Sequence, residues 1–246
     1  MKIAVLILAL LIISETTISS ETVKSFGRSV LVVDPDNRHN IRGEVRLAVL
    51  YGDTLKTPPI FQRYLINLKE AFHRWTKVRV ELESPCRLDS PRLLEMPFAC
   101  LSSYEIFELS PPERANIKNY FKSGGFMLLD NARPTQGVSE QEAAMKKLLY
   151  DALGPNIRFK PISRSHPIFY AYFELPEGVP LGVPIGPSSN FQSYVKGVWS
   201  GDRMVAILSN RGYTAIWNRE NDNQPQLRFG INTILYALIY GTRENK

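Results

Sequence analysis

A mixed α/β fold on a mainly parallel sheet is predicted by three observations. Strand-like and helix-like segments alternate in the order strand, helix, strand, strand, helix, strand, helix, which places helices on both faces of a sheet. Phe126–Leu129 is apolar on both faces, as an interior parallel strand requires. Lys77–Leu82, KVRVEL, alternates strictly, so one side is covered and the other solvated, which suits an edge strand.

Taken in chain order, residues 21–43 are polar and irregular, with a short apolar run, Ser29–Val33, that ends at a DPDN turn signal and suits a small strand or hairpin. Val45–Tyr51, VRLAVLY, reads as a mostly buried strand closed by Gly52 and Asp53. Thr57-Pro58-Pro59 is an N-cap followed by proline at the first helical position. Phe61, Tyr64, Leu65, Leu68, Ala71, Phe72 and Trp75 then share one helical face. Pro97–Leu101 is a third strand. Ser110 with Glu113 forms a capping box opening a second helix, and Gly124 supplies its left-handed end. Ser139 with Glu142 repeats the box for a third helix, which closes at Gly154-Pro155.

Beyond it, Asn156–Ile162 suits another strand. Residues 163–200 are rich in Pro and Gly without clear periodicity, and a loop of that length is usually functional or a cover over a site. Met204–Leu208 and Tyr213–Trp217 read as two antiparallel strands joined by an NRG turn. Pro225 opens a last helix with Leu227, Ile231, Ile234, Leu235 and Leu238 on its buried face. An edge position for the second strand fits the flavodoxin-like strand order.

The 246 residues are 44% hydrophobic and 22% charged, enough for one sizeable core and unlike a disordered chain. A net charge of +6 without a Lys/Arg run or interleaved aromatic and basic residues gives no nucleic-acid signature. Met1-Lys2, the apolar run Ile3–Ile13 and the small polar run Ser14–Ser20 have the layout of a secretory signal peptide, with cleavage after Ser19 placing Thr17 and Ser19 at the small-residue positions. An uncleaved anchor is the alternative. The expected organisation is a signal peptide over 1–19, an N-terminal extension over 20–43 and an α/β domain over 44–242. The mature chain is expected to be exported, periplasmic or extracellular, with no transmembrane span.

Tyr51-Gly52-Asp53, the GGFMLLDN segment, Ser165-His166-Pro167-Ile168-Phe169, and Arg228-Phe229-Gly230-Ile231-Asn232 followed by Tyr236-Ala237-Leu238 stand in an order that resembles the bacterial family called domain of unknown function 4159. The resemblance covers about Glu44 to Ile239. It implies a fold similar to class I glutamine amidotransferases, a flavodoxin-like three-layer sandwich with C-terminal antiparallel strands, and no established activity. The chain departs from the family pattern in two places. Asp130-Asn131 stands where two acidic residues are common, and Ser102-Ser103-Tyr104 where a Gly-His-Gly-like turn is common.

The polar candidates gather at expected strand ends. Asp130 and Asn131 follow an interior strand, where open α/β sheets bind ligands, yet both residue types also serve turns for local reasons. His166 precedes Pro167 and opens the long loop, as acid, base, ligand or loop pin. Arg228 and Asn232 are four residues apart near the start of the last helix and share one face. With Asp53, these residues form either one polar pocket or an internal net locking the last helix to the sheet. Cys100 sits in FACL, without the glycine that a nucleophile elbow needs, and reads as a core cysteine. Cys86 and Cys100 are bridged or free; export permits the bridge and burial favours the free thiol. His39, His73 and His166 show no metal-ligand spacing, and the glycine pair precedes a strand, so neither a metal nor a phosphate-binding loop is indicated and no cofactor is expected.

The expected function is a non-catalytic exported domain that binds an envelope protein partner, or a small or glycan ligand, at the carboxyl edge of its sheet. The alternative is an amidotransferase-like or hydrolase-like enzyme using Asp130 and His166. No complete Cys-His-Glu or Ser-His-Asp signature is present.

Overall fold

The computed structural model describes residues 21–56, 63–134, 139–184 and 194–241. The signal-peptide layout and the Thr57-Pro58-Pro59 cap lie outside them. The first strands form an antiparallel hairpin, β1 (Thr22–Phe26) and β2 (Ser29–Val33). Its second strand pairs antiparallel with β3 (Arg42–Leu47), so residues 21–43 are built into a sheet and Leu31 is fully buried. The expected strand Val45–Tyr51 starts earlier and is broken at Ala48-Val49, leaving β4 (Leu50–Tyr51) as a separate short strand. Helix α1 (Arg63–Trp75) then buries Tyr64, Leu65, Leu68, Ala71 and Phe72 and half-buries Trp75, as the periodicity marks, while Phe61 of that expected face lies outside the described residues.

Strand β5 (Lys77–Leu82) runs parallel to β3 and ends the four-stranded order β1-β2-β3-β5, in the edge position that its one-sided pattern predicts. The short β6 (Cys86–Arg87) runs parallel to β4. The second large sheet begins with β7 (Phe98–Ser103), followed by α2 (Pro111–Lys122) and β8 (Phe126–Asn131). Between the last two, Gly124 takes φ 102°, a conformation open to glycine at little cost. Helix α3 (Glu140–Leu153) leads to β9 (Arg158–Pro161).

Two expectations fail in the C-terminal part. Residues 163–200 are not one loop: they include a 3-10 turn at Pro167–Phe169 and strand β10 (Val195–Ser200). The antiparallel partner of β11 (Arg203–Ser209) is β10, reached through a tight turn, and not the segment Tyr213–Trp217. That segment is a short helix, α4 (Tyr213–Trp217). Its buried residues Tyr213, Ile216 and Trp217 stand at three- and four-residue steps, a helical spacing that five residues are too few to separate from strand alternation. Gly212, at φ 65°, makes the turn into it. Helix α5 (Gln224–Tyr240) closes the described chain.

The second sheet has the order β7-β8-β11-β10-β9, with β7, β8 and β11 parallel and β10 antiparallel to both of its neighbours. Alternate residues of its strands feed two cores. Phe98, Cys100, Phe126, Leu128 and Ile207 join Tyr64, Phe72, Trp217 and Phe229 of α1, α4 and α5. Ala99, Leu101, Met127, Leu129 and Leu208 join Ile117, Tyr120, Met145 and Leu149 of α2 and α3. The molecule is therefore a mixed α/β structure with helices on both faces.

The same alternation settles the cysteines. Cys86 belongs to the α2/α3 core and Cys100 to the α1/α4/α5 core, so the sheet separates them and both are free thiols.

Candidate functional site

Strand β8 ends in two consecutive polar residues, and the pleat sends them to opposite faces. Asp130 Oδ2 accepts hydrogen bonds from Thr214 N and Thr214 Oγ1, both at 2.8 Å, so it holds the start of α4. Asn131 Nδ2 donates to Ser139 Oγ at 2.9 Å, and Ser139 accepts from Glu142 N at 3.2 Å to cap α3. One strand tip thus fixes a helix in each outer layer. The reciprocal half of the expected Ser139–Glu142 box does not form, because the Glu142 carboxylate accepts from Lys146 instead.

Asp130 stands in a row. The parallel register sets Ser102 of β7 beside Asp130 and Asp130 beside Ser209 of β11. All three are buried, and Asp130 has no exposed surface. Ser102 Oγ and Thr214 Oγ1 lie 2.7 Å apart, so a chain of hydroxyls runs from β7 through α4 to the carboxylate. Asp130 Oδ1 has no hydrogen-bond partner of normal geometry. Burial pushes the Asp130 carboxyl up to about 6, and the Thr214 and Ser209 hydrogen bonds offset only part of that. Nearby, burial and then the Asp130 charge push the Cys100 thiol well above its usual range, so it stays protonated and is no nucleophile.

The remaining candidates have other partners. His166 caps the 3-10 turn by accepting Ile168 N on Nδ1 at 3.3 Å, and its ring lies 5.1 Å from Tyr236 and 5.7 Å from Trp199. Burial lowers its pKa, which favours the neutral ring that accepts this bond. Asn232 Oδ1 accepts Tyr172 N and Phe173 N at 3.1 and 2.8 Å, and its Nδ2 donates to Phe173 O at 2.9 Å. Arg228 faces solvent, with its guanidinium over Trp75 and Phe173 at 5.7 and 5.3 Å. Asp53 pairs with Arg87 at 2.8 Å, and that bond holds its carboxyl below the usual range. Asp130 and Asn131 adjoin one another; His166, Asn232, Arg228 and Asp53 share none of their hydrogen-bond or ring partners with Asp130. Asn232 locks the loop onto the last helix, as the internal-net reading expects.

The site roles of three residues escape a reading of the sequence, and that of a fourth is legible only in part. Ser102, Ser209 and Thr214 complete the Asp130 row, and only their places at the ends of apolar runs hint at it. Glu113 is visible as a capping residue, yet it is fully buried and accepts N–H groups from two loops, Ser110 N and Asp53 N, both at 2.8 Å. Among the described residues no group of three or more His, Cys, Asp or Glu side chains is placed to hold a metal, and no helix is long and apolar enough to cross a membrane.

Fold and site together define a mixed α/β domain whose polar strand tips are tied to its own flanking helices. The model of the family described as Domain of unknown function (DUF4159) matches residues 47–238, and the chain belongs to that family. Among solved structures, it is similar to a ThuA-like protein from Bacteroides uniformis, with 13% identity, 84% of this chain and 94% of that chain covered, and a TM-score of 0.43. No curated protein matches the chain.

Proposed function

We propose that this is an exported, non-catalytic α/β domain that binds a partner protein, or a small or glycan ligand, at the carboxyl edge of its sheet. Its architecture is the flavodoxin-like three-layer sandwich similar to class I glutamine amidotransferases. The parallel run β7-β8-β11, flanked by helices on both faces, supports that assignment. The export reading rests on the layout of Met1–Ser20.

One observation carries the non-catalytic reading. Asp130 and His166, which an enzyme would have to couple, are each engaged by a separate backbone segment, Thr214 N and Ile168 N. A general base must reach the proton it takes, and here Asp130 Oδ2 and His166 Nδ1 are committed to N–H groups of different segments. The binding reading draws on exposed apolar side chains beyond the strand tips. Ile106, three residues past β7, is 52% exposed, and Leu181, in the segment tied to α4 and α5 by Tyr213 and Gln226, is 81% exposed. Large apolar side chains left in solvent at one edge are what a partner covers.

The test is site-specific photo-crosslinking in cells that express the full chain. A photoreactive residue at position 106 should give adducts, whereas one at Tyr150, on the outer side of α3, should not. No adduct from position 106 would sink the binding reading. An enzymatic activity lost in both Asp130→Ala and His166→Ala, with both variants folded, would establish the hydrolase-like alternative instead.

A further inference from the structure

A cleft of about 290 Å³ opens on the helical flank, between the second half of α1 and the segment joining α4 to α5. Its lining is polar and mixed in sign. Glu70 and Arg74 come from α1; Asn221, Asp222 and Gln224 come from the connecting segment. All five are exposed, and none of their side chains has a hydrogen-bond or ion-pair partner among the described residues. Trp75 and Leu227 supply apolar wall.

The segment behind these side chains is held in place. Asn67 Nδ2 donates to Trp217 O at 2.7 Å and to Arg219 O at 3.0 Å, and Asn223 Nδ2 donates to Arg219 O at 2.8 Å. Asp222 is the one non-glycine residue with positive φ, 58°, among the described residues. Asp222 thus takes a left-handed conformation next to the anchored Asn223, and no other described residue binds its exposed carboxylate. The cleft is therefore preorganised and unspent.

We propose that this cleft is a saccharide site, taking a neutral sugar of one or two rings. Amides and carboxylates side by side match vicinal hydroxyls, each of which donates and accepts. Opposed charges, Glu70, Glu220 and Asp222 against Arg74 and Arg219, disfavour a strongly charged ligand of either sign. The volume lies at the small end of ligand cavities, and the lining is mostly polar, with the edge of Trp75, whose ring already carries the Arg228 guanidinium, and Leu227 as its apolar part. The site stands on its own residues and does not depend on the carboxyl-edge reading.

The experiment is a titration of the isotope-labelled full chain with glucose, galactose, N-acetylglucosamine and cellobiose, read by amide chemical shifts. At least one sugar should move the amides of residues 70–75 and 219–224. Asp222→Gly, which suits the positive φ and so preserves the fold, should weaken that binding about tenfold or more, and Gln224→Ala should weaken it as well. Ile106→Ser, at the carboxyl rim, should leave it unchanged, so failure of one site is told apart from failure of the other. The proposal is overturned if no sugar moves these amides, if Asp222→Gly titrates like the wild type, or if only phosphate or calcium chloride moves them.

Discussion

Asp130 takes both hydrogen bonds that Thr214 offers, one from the backbone N–H and one from the hydroxyl, each at 2.8 Å. This places a buried carboxylate of the central strand under the first turn of a helix in the outer layer. The carboxylate is the acceptor that α4 lacks internally, because the first N–H groups of any helix have no partner within it.

The pH dependence follows from that burial. Asp130 has a folded pKa of about 6 against an ordinary 3.8, so the folded state binds its proton more tightly than the unfolded chain does. The contribution of this group is fully favourable below the unfolded pKa and is lost as pH rises from about 4 through about 6. Asp130→Asn imitates the protonated form. It should flatten that part of the stability profile and leave the protein as stable at pH 7 as the wild type, or more stable by up to about 3 kcal/mol. Denaturant unfolding of both proteins across this range checks it; an Asn variant that keeps the wild-type slope refutes it.

Thr214→Val keeps the shape and removes the hydroxyl shared by Asp130 and Ser102. Its expected cost is about 1–3 kcal/mol, since two buried oxygens lose a partner. The Asp130 carboxyl should titrate still higher in the variant, which a carboxyl-carbon NMR titration reads directly.

Glu113 joins two loops through one carboxylate. Glu113→Ala strands the N–H groups of Asp53 and Ser110 and should cost about 2–4 kcal/mol, whereas Glu113→Gln, which still offers one acceptor oxygen, should cost clearly less. Thermal melts of the two variants, side by side, give the ordering.

Asn232→Ala should release residues 170–173 from α5, because three hydrogen bonds to that segment leave with one side chain. Limited proteolysis should cut there faster in the variant, with a loss of about 2–4 kcal/mol in global stability. Equal cleavage rates in the two proteins would argue that aromatic contacts alone hold the segment.

Both cysteines should count as free thiols, and neither should react until the protein unfolds. Burial raises the pKa of each, and the sheet lies between them. A thiol reagent added with and without denaturant tests this. Fast reaction in the native state contradicts it.

The parts of the fold legible in the sequence were those with long or two-sided patterns. The α1 face, the interior strand Phe126–Leu129 and the edge strand Lys77–Leu82 each repeat their signal over several residues. Tyr213–Trp217 misleads because five residues, four of them apolar, fit a single helical turn and a short strand equally well. Strand β10 was hidden because Gly197 and the polar residues around it dilute its pattern. Asp130 and Asn131 were recognisable as residues of consequence, since a polar pair after an apolar run has to be satisfied. Their partners were not, because Thr214 and Ser139 come from separate outer layers and the register of three strands decides which hydroxyls meet the carboxylate.

The span shared with the family begins at Leu47, the last residue of β3, and stops inside α5. A chain trimmed to that span would shed β1, β2 and nearly all of β3, leaving β5 with no neighbour to receive its backbone hydrogen bonds. The bare edge would invite sticking between copies, and the Arg203 guanidinium would lose the Gly241 carbonyl it holds at the far end. Anyone shortening this protein for laboratory work should keep the hairpin and the last turn, even though the shared pattern contains neither.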